Sequence, residues 1–185
     1  MKQQALTRTK DAAYIAMFSA LIAVGAFIRI PAGLVPITMQ TAFVALAALT
    51  IGPNKAAVSV LVYILLGLCG LPVFASGGGI GYVLYPTFGY ILGFALSAWV
   101  TGFIFNKFKE KTYIAAVLSG LAGVFAVYVI GLPYLYLIKD IYLGSPVTAK
   151  TLFVSCFAIF LPGDILTMAV AAYAAVRLRK AVKQG

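Results

Sequence analysis

The chain has no histidine and only four acidic residues: Asp11, Glu110, Asp140 and Asp164. It has two cysteines, Cys69 and Cys156, among 185 residues. Each shortage closes off a class of chemistry. Without histidine, and with the cysteines far apart in sequence, no zinc-type ligand set is in view, and no metal site is expected. Both cysteines lie in apolar surroundings and read as small packing residues rather than a disulfide. No nucleophile–base pair can be assembled, so acid–base work would fall to a lone aspartate. The phosphate-cradling pattern G-x-x-x-x-G-K-[ST] is absent, so energy from ATP would have to come from a partner chain. Charge is scarce as well, at 10% of residues against about 25% in soluble domains.

What fills the chain instead is apolar: 63% hydrophobic residues and a mean hydropathy of +1.06. This predicts an all-α integral membrane protein. Its length allows one domain over 1–185 with six transmembrane helices, at about 20 residues per span. The spans are expected over 12–30, 37–51, 56–71, 86–105, 113–132 and 151–176. The first follows a short basic head and superficially resembles a signal peptide. Its apolar run is too long for that, and no clear A-x-A site follows, so it reads as an uncleaved helix. Pro31 to Pro36 breaks the chain after it. Pro133 is expected to kink or end the fifth span, and Leu161-Pro162-Gly163-Asp164 to interrupt the sixth.

The formal charge of +10 does not signal nucleic acid, because the basic residues form short clusters between apolar spans. Six spans put both termini on one side. Eleven of the 14 basic residues then fall on that side, leaving Arg29, Lys139 and Lys150 opposite. Positive residues favour the cytoplasm, so both termini are expected to be cytoplasmic. The three irregular stretches, around Pro31–Pro36, Gly67–Tyr90 and Tyr134–Lys150, then gather on the outer face.

The second of these, GLCGLPVFASGGGIGYVLYPTFGY, is too polar and glycine-rich for the middle of a span. Glycine allows close backbone approach to a ligand, and irregular backbone survives at membrane depth only where protein or a watery cavity covers it. Two readings stand: a ligand cradle, with Ser76, Gly77, Gly78 and Gly79 supplying backbone contacts, or a plain external connector. Asp164 is the informative acid. It lies inside an apolar run, where a carboxylate costs about 2.5–3.5 kcal/mol on insertion scales. A ligand contact is favoured over a simple helix cap. Thr38 and Gln40 open the second span as a polar set. Tyr82, Tyr85 and Tyr90 read as interfacial aromatics or pocket walls, with Tyr90 the better wall. Arg29 either snorkels to the interface or meets an anionic ligand group, a role Lys139 shares.

Small residues recur four apart: Ala12, Ala16 and Ala20 in the first helix, Gly89, Gly93 and Ser97 in the fourth. Such faces let helices approach closely. The fourth-helix stripe reads as internal packing. The first-helix stripe reads equally as packing or as a docking face for another membrane subunit.

Four segments together carry a resemblance: Val35-Pro36-Ile37-Thr38-Met39-Gln40-Thr41, Gly67 to Ala75 with its following glycines, Pro86-Thr87-Phe88-Gly89-Tyr90 leading to Gly93-Phe94, and Leu161-Pro162-Gly163-Asp164. In order and spacing, over nearly the whole chain, they resemble the BioY family, the biotin-binding S components of energy-coupling factor (ECF) vitamin transporters. The resemblance implies a six-helix S-component fold in the bacterial cell membrane and a biotin site near the extracellular face. It also implies partnership with a membrane coupling subunit and two cytoplasmic ATPases, docking through Ala12, Ala16 and Ala20, and Asp164 holding the ureido ring. Tyr85 and Phe88 stand where the family often has glycine, and Thr167 where it often has lysine. Biotin needs no cofactor, only acceptors for two ureido N–H groups and a largely apolar enclosure, which Asp164, Gln40, Thr38 and the aromatic residues can supply. The alternative is an intramembrane enzyme acting on a lipid or prenyl substrate through Asp164. It needs a second catalytic group that the sequence does not offer.

Overall fold

The computed structural model describes residues 2–30, 35–145 and 147–184. Among the described residues the chain is helical apart from one small hairpin and the connecting loops. Helix α1 runs over Lys2–Phe27, followed by strands β1 (Arg29–Ile30) and β2 (Ile37–Thr38), which pair antiparallel with Arg29 opposite Thr38. The Pro31–Pro36 break falls on this hairpin, with residues 31–34 outside the described part. Then come α2 (Gln40–Ile51), α3 (Pro53–Leu68), a short 3-10 turn (Ile80–Leu84), α4 (Phe88–Lys107) and α5 (Tyr113–Leu137). The last segment is broken into α6 (Ala149–Phe153), a π turn (Val154–Ala158) and α7 (Leu161–Gln184).

Three boundaries differ from the sequence expectation, each for a local reason. Helix α5 is not ended by Pro133 but runs through it to Leu137 and on into a π turn over Ile138–Tyr142. Packing holds it there: the Tyr90 ring lies against Gly131, and Leu135 is fully buried. The break in the sixth segment comes before Leu161, at the turn formed by Ile159 and Phe160. Pro162 and Asp164 therefore sit in the first turn of α7, where a proline's missing N–H costs nothing. Helix α2 starts at Gln40 because Ile37–Thr38 is extended.

Among the described residues four segments are long and apolar enough to cross a membrane: 8–27, 88–107, 113–142 and 150–179. The helices α2 and α3 are shorter; α2, with 12 residues, is only about 18 Å long. That is well short of the roughly 30 Å hydrocarbon core, and the shortfall leaves room for a cavity at its N-terminal end. Helix α2 has no polar face and touches α1, α3, α4, α5 and α7, as a helix apolar all round must. The outer helices turn large apolar side chains outward, among them Phe27, Ile114, Phe125, Val129 and Leu166. Such a belt belongs in lipid, so this is a multi-pass membrane protein.

Helices α4 and α5 form the closest pair. A Cβ at Gly93 would come within 2.9 Å of the Val127 backbone, and one at Gly123 within 2.0 Å of Thr101 Oγ1. The Gly89–Gly93–Ser97 stripe thus packs inside the bundle. Ala12, Ala16 and Ala20 lie on the exposed side of α1. Its other side, with Phe18, Ser19 and Ile22, is buried, and Ser19 Oγ donates to Ser59 O of α3 at 2.8 Å.

Candidate functional site

A cavity of about 620 Å³ empty volume opens above α2, between α4, α5 and the start of α7. Its walls follow from helical periodicity. Helix α4 and the residue before it supply Thr87, Tyr90, Ile91 and Phe94, spaced i, i+3, i+4 and i+7, which is one face of a helix. Helix α5 supplies Val124, Val127 and Tyr128 in the same manner. The hairpin closes one side with Val35 to Thr38, and Ala75 and Tyr82 come from the glycine-rich stretch. Gln40 and Thr41 form the first turn of α2, and Phe160 and Asp164 flank the start of α7.

Asp164 is buried, at 9% exposure. Its carboxylate accepts the Tyr128 hydroxyl, while its backbone N–H continues the helix to Phe160 O at 2.8 Å. The carboxylate is thus turned to the cavity wall rather than spent as a helix cap. The first turn of α7 adds the favourable end of a helix dipole. Thr167, three residues on, donates to the Asp164 backbone carbonyl at 3.0 Å, a bond within the helix rather than one to the carboxylate. Tyr128 stands edge-on to Tyr90 (6.3 Å) and to Phe157 (4.9 Å), so aromatic rings fix its position. The Tyr90 hydroxyl donates to Cys156 O at 3.5 Å.

Gln40 is held at both ends of its amide. Its Oε1 accepts from Thr38 Oγ1 at 3.2 Å, and its Nε2 donates to Tyr63 Oη at 2.7 Å. Tyr63 in turn donates to Val73 O at 3.3 Å. This chain fixes which amide edge faces the cavity and leaves one N–H and one lone pair unspent.

The structure therefore brings Thr38, Gln40, Tyr90 and Asp164 together on one cavity. It does not bring Ser76, Gly77, Gly78, Gly79, Tyr85, Arg29 or Lys139 to its walls. The glycine stretch is bonded to itself: Phe74 and Gly77 exchange backbone hydrogen bonds, and Gly79 N–H donates to Gly67 O at 2.7 Å. A Cβ at Gly78 would meet Leu71 O at 2.1 Å. Gly77 and Gly79 carry φ of +122° and +99°, which only glycine adopts at little cost. Their N–H groups serve the loop. Tyr85 stacks on the outer face of Tyr82 at 4.8 Å, and Phe88 is buried among Phe74, Tyr82 and Tyr134. Both pack around the wall rather than form it. The Arg29 guanidinium donates to Ala75 O, tying the hairpin to the glycine stretch at the cavity's edge.

Sequence reading passed over Tyr128 and Tyr63. Their signal was weak but present: a tyrosine in an otherwise apolar helix needs a partner for its hydroxyl when buried.

The arrangement offers one buried carboxylate, a fixed amide, hydroxyls and a mainly apolar wall. It suits a small, largely apolar ligand presenting N–H donors, and Asp164 is the one carboxylate among the lining residues, with no lysine, arginine or histidine beside it there. Similarity to known proteins points the same way. The chain is 42% identical over 180 residues to a probable biotin transporter BioY of Lysinibacillus sphaericus, covering 97% of this chain and 90% of the relative. It is 40% identical over 166 residues to the biotin transporter BioY of Thermotoga maritima, covering 89% and 92%. Its fold matches, with a TM-score of 0.80 and 28% identity over 94% and 93% of the two chains, the crystal structure of the S-component for biotin from an ECF-type ABC transporter. The BioY family pattern itself fits residues 1–184, and the chain belongs to the BioY family.

Proposed function

We propose that this protein is the biotin-capturing S component of an ATP-driven ECF uptake transporter in the bacterial plasma membrane. The observation that carries the reading is the buried Asp164 carboxylate on the wall of a largely apolar cavity, in a BioY-family chain. Asp164 accepts a ureido N–H of biotin. Gln40 and Thr38 meet the remaining ureido atoms, and Tyr90 with Phe94 and Val127 encloses the bicycle. Arg29 and Lys139 stand nearest the role of partner for the valeryl carboxylate, which requires Arg29 to leave Ala75. Ser76 to Gly79 and Tyr85 support the wall from behind.

The termini face the cytoplasm, by the distribution of basic residues, so the cavity opens to the exterior. The exposed Ala12–Ala16–Ala20 face suits close packing against a coupling subunit. Two ATPases bound to that subunit supply the energy. The reading is transport rather than catalysis: the relatives matched along most of the chain are named transporters.

The test is calorimetry with purified protein. Biotin should bind saturably at about nanomolar strength, roughly −12 kcal/mol. Absence of saturable binding by folded protein refutes the reading.

A further inference from the structure

On the polar side of the ligand cavity, the direction of one amide is decided by a residue outside the lining. Tyr63 of α3 is fully buried and is not among the lining residues. Its ring is held edge-on to Phe74 at 5.4 Å, and its hydroxyl donates to Val73 O at 3.3 Å. A backbone carbonyl only accepts, so the hydroxyl has a lone pair, and no proton, left for Gln40. That selects the amide nitrogen: Gln40 Nε2 donates to Tyr63 Oη at 2.7 Å. The amide oxygen is then left to Thr38, whose hydroxyl donates to Gln40 Oε1 at 3.2 Å. The placing of O and N in an amide follows from its hydrogen-bond network, and the solution that serves every group, Val73 O included, is this one.

The cavity inherits the consequence. Thr38 has spent its proton on Gln40, Tyr128 on Asp164 and Tyr90 on Cys156 O. Thr38 and Asp164 are thus left with lone pairs to offer. Gln40 keeps one N–H, and its direction is fixed from both ends, unlike that of a rotatable hydroxyl. A cyclic urea carries two N–H donors with one C=O between them. Its N–H groups match the lone pairs, and its carbonyl matches the Gln40 N–H.

We propose that Tyr63 is a positioning residue for substrate choice. By fixing the Gln40 amide it makes the site select a urea carbonyl over a cyclic guanidinium of the same shape, in which C=NH₂⁺ replaces C=O. This rests on the biotin reading of the cavity. The guanidinium sets its own N–H against that of Gln40, donor to donor, and a buried donor left unpaired works against the wrong ligand. Its attraction to Asp164 acts the other way, but equally with and without the Tyr63 hydroxyl. Comparing the two ligands across a Tyr63 variant therefore isolates the amide.

The test is calorimetry on the full-length protein with biotin and with its imino analogue. Biotin binding by the folded wild-type protein tests the transport reading, and its absence overturns both readings. Tyr63→Phe keeps the ring and frees the amide to turn over. Affinity for biotin should fall about fivefold, the worth of one neutral hydrogen bond. Affinity for the imino analogue should hold or rise, so the preference shifts by at least that factor. A packing defect would weaken both ligands alike. In a Gln40→Met background, Tyr63→Phe should leave the preference where it is. Equal weakening of both ligands, or the same shift in the Gln40→Met background, overturns this proposal and leaves the biotin reading standing. Infrared spectra of bound biotin, isotope-labelled at the ureido carbon, give a readout that needs no Tyr63 variant. The carbonyl band should lie at higher frequency in Gln40→Met than in wild type, because its donor is gone. An unchanged band overturns the proposal.

Discussion

Replacing Asp164 tests both the ligand and its placement. The carboxylate is buried and accepts the Tyr128 hydroxyl at Oδ2, leaving Oδ1 for a ligand. With biotin bound, Asp164→Ala leaves a ureido N–H buried without an acceptor. Truncating one partner of a buried, charge-assisted hydrogen bond costs about 2–5 kcal/mol. At roughly 1.4 kcal/mol per tenfold, nanomolar binding falls to about micromolar. Tyr128→Phe removes only the group that orients the carboxylate, worth about 1 kcal/mol, so affinity should drop about fivefold. In the Asp164→Ala background, Tyr128→Phe should cost nothing more, because its effect passes through the missing carboxylate. Calorimetry on the four proteins, with melting curves to confirm folding, measures all of this. A buried carboxylate with no cationic partner is a burden in the empty state, so Asp164→Asn should melt no lower than wild type without biotin and gain less when biotin is added. The reasoning is refuted if folded Asp164→Ala binds within threefold of wild type. It is also refuted if Tyr128→Phe costs the same in both backgrounds.

Other perturbations reach other parts of the structure. Gly93→Leu must push α4 off the Val127 backbone; overpacking of this kind costs about 1–3 kcal/mol, read as a lower melting temperature and weaker biotin binding. Ala16→Trp, on the exposed face of α1, should leave biotin affinity unchanged and abolish co-purification of the coupling subunit; co-purification at wild-type yield would remove that face from the docking surface. Arg29→Ala cuts the tie between hairpin and glycine stretch, so biotin should dissociate faster in stopped-flow exchange, while unchanged association and dissociation rates would make the tie ornamental. Phe74→Ala empties a fully buried site between Gly67, Tyr63 and Tyr82; loss of a core phenylalanine costs about 3–5 kcal/mol, and thermal unfolding should report it.

The parts of the site legible in the sequence were those whose polarity breaks an apolar run. Asp164, Gln40 and Thr38 stand out in that way, and all three reach the cavity. Tyr128 and Tyr63 do not, because tyrosine hides a polar tip on an apolar body and passes for wall material in any hydropathy reading. The six segments were legible from apolar length. Their ends were not, since Pro133 terminates a helix only where packing does not hold the next turn, and here Gly131 and Leu135 are packed. The shortness of α2 was legible only as a number of residues. That it leaves a cavity above Gln40 is a property of its neighbours.

In the glycine-rich stretch the backbone groups that composition offers to a ligand are bonded within the loop itself. Three consecutive glycines suggest N–H groups offered to a ligand, but a backbone that bends this tightly must first satisfy itself. Gly77 pairs with Phe74, Gly79 bonds to Gly67, and Gly78 closes on Leu71. The outcome is a stiff wedge with Phe74 as its core, set between Tyr63, Tyr82 and Phe88. It presents Ala75 and Tyr82 to the cavity, and through Val73 O it anchors Tyr63, which holds Gln40. The stretch thus acts on the site through the position of its neighbours. A glycine substitution there should disturb affinity and stability together, whereas a substitution at Gln40 or Asp164 should separate them.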